Sequence, residues 1–197
     1  TTQLTLTSTD ADASVGPVIE LKRDSSSPAD DDLLGNIKFS GDDDGGNSVD
    51  YTTVQVRAKD VSDGSEDAEC DISTVVAGTS RSRIRMDGTE TIFNENSVDL
   101  DFRVESNNST YAFFIEGGTD CIGMHTSSPS DYYADDLVLV VPDEGGMSIV
   151  TGTTSKSWLA FADGTSGDQA YRGGVAYDHN VDTLSFVSGG GTKIYVD

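Results

Sequence analysis

Apolar and polar residues alternate along short stretches of this chain. Val54-Gln-Val-Arg-Ala-Lys59, Arg83-Ile-Arg-Met86 and Val98-Asp-Leu-Asp-Phe-Arg-Val104 each follow a period of two, which sends one side-chain set toward a core and the other toward water. Tyr111-Ala-Phe-Phe-Ile-Glu116 and Leu137-Val-Leu-Val-Val141 add two further apolar runs. Thr, Val, Ile, Tyr and Phe fill these stretches, while Gly, Asp, Asn and Ser clusters separate them, as expected of strands joined by turns. No window of a dozen residues carries a 3.6-residue period. The pattern predicts an all-β chain.

The runs recur. Ile37-Lys-Phe-Ser-Gly41, Tyr51-Thr-Thr-Val-Gln-Val56 and Arg83-Ile-Arg-Met-Asp87 are matched by Leu159-Ala-Phe-Ala-Asp163, Tyr171-Arg-Gly-Gly-Val-Ala-Tyr177 and Lys193-Ile-Tyr-Val-Asp197. The pairing sets Phe39 against Phe161, Tyr51 against Tyr171 and Ile84 against Ile194. The first copy then carries about twelve extra residues, expected in the hairpin material of Asp60–Asp71. Three regions follow: a first β module over 1–87, a stalk or connector over 88–130, and a second, related module over 131–197 that breaks off in mid-strand. Strand repetition along one axis builds length rather than pockets. The expected architecture is therefore elongated, of fibre type, with β modules joined by a β stalk.

Composition sharpens this picture. Of 197 residues 35% are hydrophobic, with 21 Gly besides, which leaves little core for each module against the roughly 45–50% usual when Gly is counted in. Such a chain completes its core with neighbouring subunits. The formal charge is −23, from 35 acids against 12 bases. That balance excludes phosphate-backbone binding and anionic membrane surfaces, both of which need clustered Lys and Arg. No apolar run approaches the roughly 20 residues of a bilayer-spanning helix. With no initiator Met and no leader pattern, the chain is expected to be processed or a piece of a longer one. Cys70 and Cys121, far apart in unrelated contexts, are expected as packed free thiols, with one disulfide between them as the alternative.

Candidate sites are few. The runs Asp30-Asp-Asp32 and Asp42-Asp-Asp44 are the best Ca²⁺ candidates, because a flexible Asp/Gly loop supplies the oxygen ligands a hard cation needs. The candidate ligands are Asp42, Asp44, Asp30 and Asp32. Neither run has the alternating Asp spacing and distal Glu of a helix–loop–helix calcium loop, and Asp10-Ala-Asp-Ala-Ser14 has the alternation without the closing acid. Solvated turns are the expectation, with no cofactor. His125 and His179 have no second ligand at zinc spacing, no Gly-x-Ser-x-Gly elbow occurs, and no enzyme activity is expected. Trp158, Tyr132, Tyr133, Tyr171 and Tyr177 are candidates for a sugar-stacking platform, against the alternative that they pack in cores or between subunits. The overlapping sequons at Asn107 and Asn108 are expected to form a turn.

One block points further. Asp120-Cys-Ile-Gly-Met-His-Thr-Ser-Ser-Pro-Ser130 follows the alternating runs Phe102–Ser106 and Tyr111–Glu116. It resembles the connector of bacteriophage tail fibres, in which strand, glycine-rich turn and strand lead into a "VGIGTTSPS"-like segment. Gly16–Gly41, Asp63-Gly-Ser-Glu-Asp67, Val76-Ala-Gly-Thr79, Asp101-Phe-Arg-Val-Glu-Ser106, Phe161-Ala-Asp-Gly-Thr-Ser-Gly167 and Val175-Ala-Tyr-Asp-His-Asn180 are similar to segments of aquatic-phage fibres, in the same order. The chain departs from the pattern at Met124-His125, where a small residue is usual. The resemblance implies a homotrimer of intertwined β chains that belongs to a virion tail or head fibre, is extracellular, contacts other fibre or virion proteins and supports host attachment. A threefold arrangement would bring an aromatic such as Phe102 or Phe113 from each chain to an axial core. Two other readings use the same β-repeat physics. One is an adhesin module that binds a host surface glycan, and the other is a cell-made extracellular filament subunit.

Overall fold

A computed structural model describes residues 1–13 and 16–196, the side chain of Tyr195 excepted. Ser14 and Asp197, named above, lie outside the described residues. The chain is all-β: thirteen strands and two short 3-10 turns occur among the described residues, with no α-helix. It divides into two compact units, residues 1–140 and 141–197.

Unit one holds two sheets. The first is an antiparallel meander of β1 (Leu33–Asp42), β2 (Ser48–Asp60), β3 (Asp67–Val76), β4 (Thr79–Met86) and β5 (Thr91–Phe93). The second holds β6 (Phe102–Ser106), β7 (Ser109–Glu116), β8 (Cys121–Met124) and β9 (Leu137–Leu139), with β8 and β9 parallel. Unit two is a four-stranded antiparallel meander of β10 (Lys156–Phe161), β11 (Gly173–Asp178), β12 (Thr183–Ser188) and β13 (Gly191–Val196). These sheets divide the chain elsewhere than at 87 and 130. β5 carries the first sheet on to Phe93, and β9 returns beyond residue 130 to pair with β8. Of the alternating run Val98–Val104 only the last three residues are strand. Val98 is held instead by the Asn94 side chain, whose Nδ2 donates to the Val98 carbonyl at 2.8 Å.

Register explains the alternation. Cross-strand partners share a face, so the pairings Ile37–Val54–Ile72–Ile84–Phe93 run as one apolar row across the first sheet. Phe39 lies two residues along β1 from this row. In the third sheet the row is Leu159–Val175–Phe186–Ile194, with Phe161 in the place of Phe39. The Phe39/Phe161 and Ile84/Ile194 matches therefore fall on equivalent strands at equivalent register. Tyr51 and Tyr171 do not. Tyr51 is the extra residue at the β1–β2 register shift, while Tyr171 ends the 3-10 turn Gly167–Tyr171. Val54 to Ile72 covers 18 positions where Val175 to Phe186 covers 11, so the β2–β3 hairpin accounts for seven of the extra residues. Most of the rest fall between β3 and β4.

Each sheet covers one face poorly. Phe39, Phe161 and Leu137 are 61%, 62% and 61% exposed, and Ile37, Phe93, Val104, Leu159, Phe186, Ile194 and Val196 are also open to solvent. Among the described residues the buried apolar side chains are Phe114, Cys121, Val138, Ala176 and the fully buried Pro129. Both cysteines are free.

Candidate functional site

The Asp120–Ser130 block is a folded-back unit. β8 brings Gly123 between Phe114 on β7 and Val138 on β9. The chain then reverses at His125, whose φ is +60° and whose N–H donates to the Tyr111 carbonyl at 2.7 Å. That reversal delivers Pro129, at the head of a 3-10 turn, onto the face holding Phe114, Cys121 and Val138. A Cβ on Gly123 would stand 2.8 Å from Thr126 Cγ2 and 2.9 Å from the Thr126 carbonyl oxygen, so the turn closes only over glycine. The Met124-His125 step thus marks the reversal itself. The opposite face of this sheet sets Phe102, Val104, Phe113, Ile115, Ile122 and Leu137 in register, with Val104 and Leu137 exposed and the other four half-buried. Phe102 packs tilted against Phe93 at 5.0 Å and edge-on against Phe113 at 6.3 Å, joining the apolar faces of the two sheets in unit one.

The acidic runs work within the fold. Asp30 Oδ1 accepts the Val61 N–H at 3.1 Å. Asp31 pairs with Lys59 and lies 3.8 Å from Arg57. Its carboxyl is held below the usual aspartate range, first by the Lys59 hydrogen bond and charge. Asp32 accepts the Ala29 N–H at 3.1 Å and pairs with Arg23 at 2.9 Å. In the second run the middle residue is the anchor. Asp43 Oδ1 accepts the N–H groups of Gly45 at 2.9 Å and Asn47 at 2.8 Å, and those bonds lower its pKa. Asp42 and Asp44 flank it, exposed. Asp10 bonds Ser8 at 3.0 Å, and of that motif Ser14 alone lies outside the described residues. No three His, Cys, Asp or Glu side chains converge among the described residues.

The two histidines belong to different units. His125 Nδ1 meets Ser109 Oγ at 3.1 Å, and His179 Nε2 meets Ser157 Oγ at 3.3 Å while its ring packs edge-on against Tyr177 at 4.9 Å. Asn107 and Asn108 form the two-residue link between β6 and β7, and Asn107 Nδ2 donates to Asn108 Oδ1 at 3.1 Å. Of the aromatic candidates, Trp158 and Tyr171 line one groove of about 400 Å³ with Ala160, Val187 and Thr192. Tyr177 faces a second groove, of about 260 Å³, that Trp158 also lines. Tyr132 and Tyr133 follow the Pro129 turn in unit one, both exposed.

Sequence reasoning missed a cluster on the polar face of the first sheet. Glu69 and Asp71 on β3, only 12% and 13% exposed, lie between Arg57 on β2 and Arg85 on β4. Arg57 Nε stands 3.5 Å from Glu69, Arg85 Nε stands 3.6 Å from Glu69, and Arg85 Nη1 bonds Glu95 at 2.6 Å. Ser73 and Ser82 both donate to Asp71, and Asn96 Oδ1 accepts the Ser82 N–H at 2.8 Å. The signal was present as Arg and acid at alternate positions, but only the register brings them together.

No protein-family model and no curated protein matches the chain.

Proposed function

We propose that this chain is a non-enzymatic structural subunit of a fibre, a homotrimer of the phage tail- or head-fibre kind that supports host attachment from the virion surface. The observation that carries this reading is the set of open apolar faces, one on each of three sheets. Apolar side chains left in water forgo the free energy of burial, and extended exposed apolar patches mark contact surfaces. The polar face of the first sheet, closed by its Arg–acid cluster, is a poor alternative contact, so copies meet through the apolar faces.

Sedimentation equilibrium of the purified chain at micromolar concentration tests the assembly. Three chains per particle is the expected mass, and Ile37→Asp should release monomers while Asn36→Asp, on the opposite face of β1, should not. A compact monomer for the unsubstituted chain overturns the reading. Electron microscopy of particles labelled through the chain then separates a virion fibre from a cell-made filament.

The Trp158–Tyr171 groove favours a second reading, an adhesin module. Two aromatic side chains line it beside Ala160 and Val187, and Arg172, next to Tyr171 in the chain, is paired with Asp163 at 3.3 Å and Asp168 at 3.0 Å. Aromatic faces beside such groups suit a pyranose ring. Binding on a glycan array that Trp158→Ala abolishes would support it, and silence across the array counts against it.

A further inference from the structure

Upstream of each meander's first strand lies an arm with strand-like alternation and no strand partner. The first is Pro17-Val-Ile-Glu-Leu-Lys-Arg23 and the second Met147-Ser-Ile-Val-Thr151. Among the described residues neither arm makes a backbone–backbone hydrogen bond. Ile19 is 64% exposed and Ile149 42%.

Side-chain contacts already set a register for each. Leu21 Cβ sits 3.2 Å from where a Cβ on Gly35 would stand, and Arg23 Nη1 donates to the Leu33 carbonyl at 3.2 Å. Leu21 opposite Gly35 and Arg23 opposite Leu33 are one antiparallel register, since each step back along the arm is a step forward along β1. Continued, it sets Ile19 beside Ile37 and Pro17 beside Phe39. In the second arm Thr151 Oγ1 meets Ser157 Oγ at 3.0 Å. Continued antiparallel, that contact sets Ile149 beside Leu159 and Met147 beside Phe161. Ile149 and Leu159 do line one groove, and Ser157 Oγ donates to the Ile149 carbonyl at 3.3 Å. Ile37 and Leu159 are equivalent by sheet register, as are Phe39 and Phe161. Two unrelated sets of contacts thus bring Ile19 and Ile149 to the same place in the two meanders.

We propose that Pro17–Arg23 and Met147–Thr151 are the missing edge strands of the two meanders, docking antiparallel on the open edges of β1 and β10 of their own chain. Docking lengthens the apolar rows to Ile19–Ile37–Val54–Ile72–Ile84–Phe93 and Ile149–Leu159–Val175–Phe186–Ile194. It also closes the edge that would otherwise template pairing with a foreign strand. Pro17 stands at the first strand position, where a missing N–H is tolerated, and Gly35 leaves room for Leu21. In the docked register Ile19 and Ile149 extend the bare apolar face of each sheet. The arms therefore zip most firmly once a neighbouring copy covers that face.

Hydrogen exchange on the unsubstituted, assembled chain tests this. Amides of residues 18–22 and 148–151 should exchange at least about tenfold more slowly than unprotected amides; exchange at the unprotected rate overturns it. Disulfide trapping tests register and chain identity. In a Cys70→Ser, Cys121→Ala background, Ile19→Cys with Ile37→Cys and Ile149→Cys with Leu159→Cys should oxidise within one chain, read on denaturing gels as monomers. Ile19→Cys with Lys38→Cys should stay reduced. Cross-linked dimers, meaning arms exchanged between chains, or equal trapping of the shifted pair would overturn the assignment. Sedimentation reports the oligomer independently, so failure of the arms and failure of the fibre reading are told apart.

Discussion

At the scale of single residues, much of the acid in this chain fastens turns. Asp43 closes the β1–β2 hairpin, Asp60 accepts the Ser62 N–H at 2.7 Å after β2, Asp87 takes the Thr89 N–H at 2.8 Å before β5, and Asp178 takes the Asn180 N–H at 3.0 Å between β11 and β12. In each case backbone hydrogen bonds are the first cause that lowers the carboxyl pKa. A short acid that bonds the backbone two residues on supplies what a tight turn lacks. Asp43→Ala should therefore lower the urea midpoint while Asp44→Ala, one residue away and exposed, leaves it unchanged. The sign with pH follows. A carboxylate whose folded pKa is depressed stabilises fully above its unfolded pKa of about 3.9 and loses that contribution as pH falls through the folded value. In high salt, where overall repulsion is screened, the melting temperature should hold from neutrality to about pH 4.5 and drop below about pH 4. A rise on acidification under those conditions would contradict the turn role.

At the scale of elements, legibility depended on whether an element announces itself by its own residues. β2 and β4 were plain because Val54, Val56, Ile84 and Met86 alternate with polar neighbours on a half-covered sheet. β9 showed as the apolar run Leu137–Val141, but its partner did not, because those residues pair in parallel with β8 only after the chain has reversed at His125 and laid Pro129 down. The Tyr51/Tyr171 match failed at the bulge between Phe39 and Ser40, where one extra residue shifts everything after it. The Ca²⁺ candidates were named from composition, but hydrogen-bond geometry is set by which acid sits mid-turn, and that is Asp43 rather than Asp42 or Asp44. The Arg–acid cluster was invisible for a related reason: its members come from three strands and the loop after β5. Removing Arg85 leaves Glu69 to Arg57 alone and takes from Asp71 and Glu95 the cation each faces, which costs stability because these carboxylates are mostly buried. Discounted for the 30% exposure of the Arg85 side chain, Arg85→Met should cost about 1–3 kcal/mol by urea unfolding. Arg103→Met, whose exposed pair with Glu105 is on the rim of its sheet, should cost under about 1 kcal/mol.

At the scale of the whole molecule two features oppose one another. In the proposed assembly bare apolar faces would pull copies together, and a charge of −23 on each chain would push them apart. Three copies would carry three times that charge. The attraction is short-ranged and changes little with simple salt, while the repulsion acts over a Debye length of about 10 Å at 0.1 M and about 3 Å at 1 M. The balance therefore tips toward assembly as ionic strength rises, opposite to an association held by salt bridges. Light scattering across a sodium chloride series should show the dissociation midpoint moving to lower protein concentration, and sulfate, which also strengthens apolar burial, should move it further than chloride at equal ionic strength. Dissociation as salt rises toward seawater-like levels would mean that ion pairs, not the Ile37 and Leu159 rows, hold the copies together. It would then put the contact on the polar faces, beside the Arg57–Glu69–Arg85 cluster.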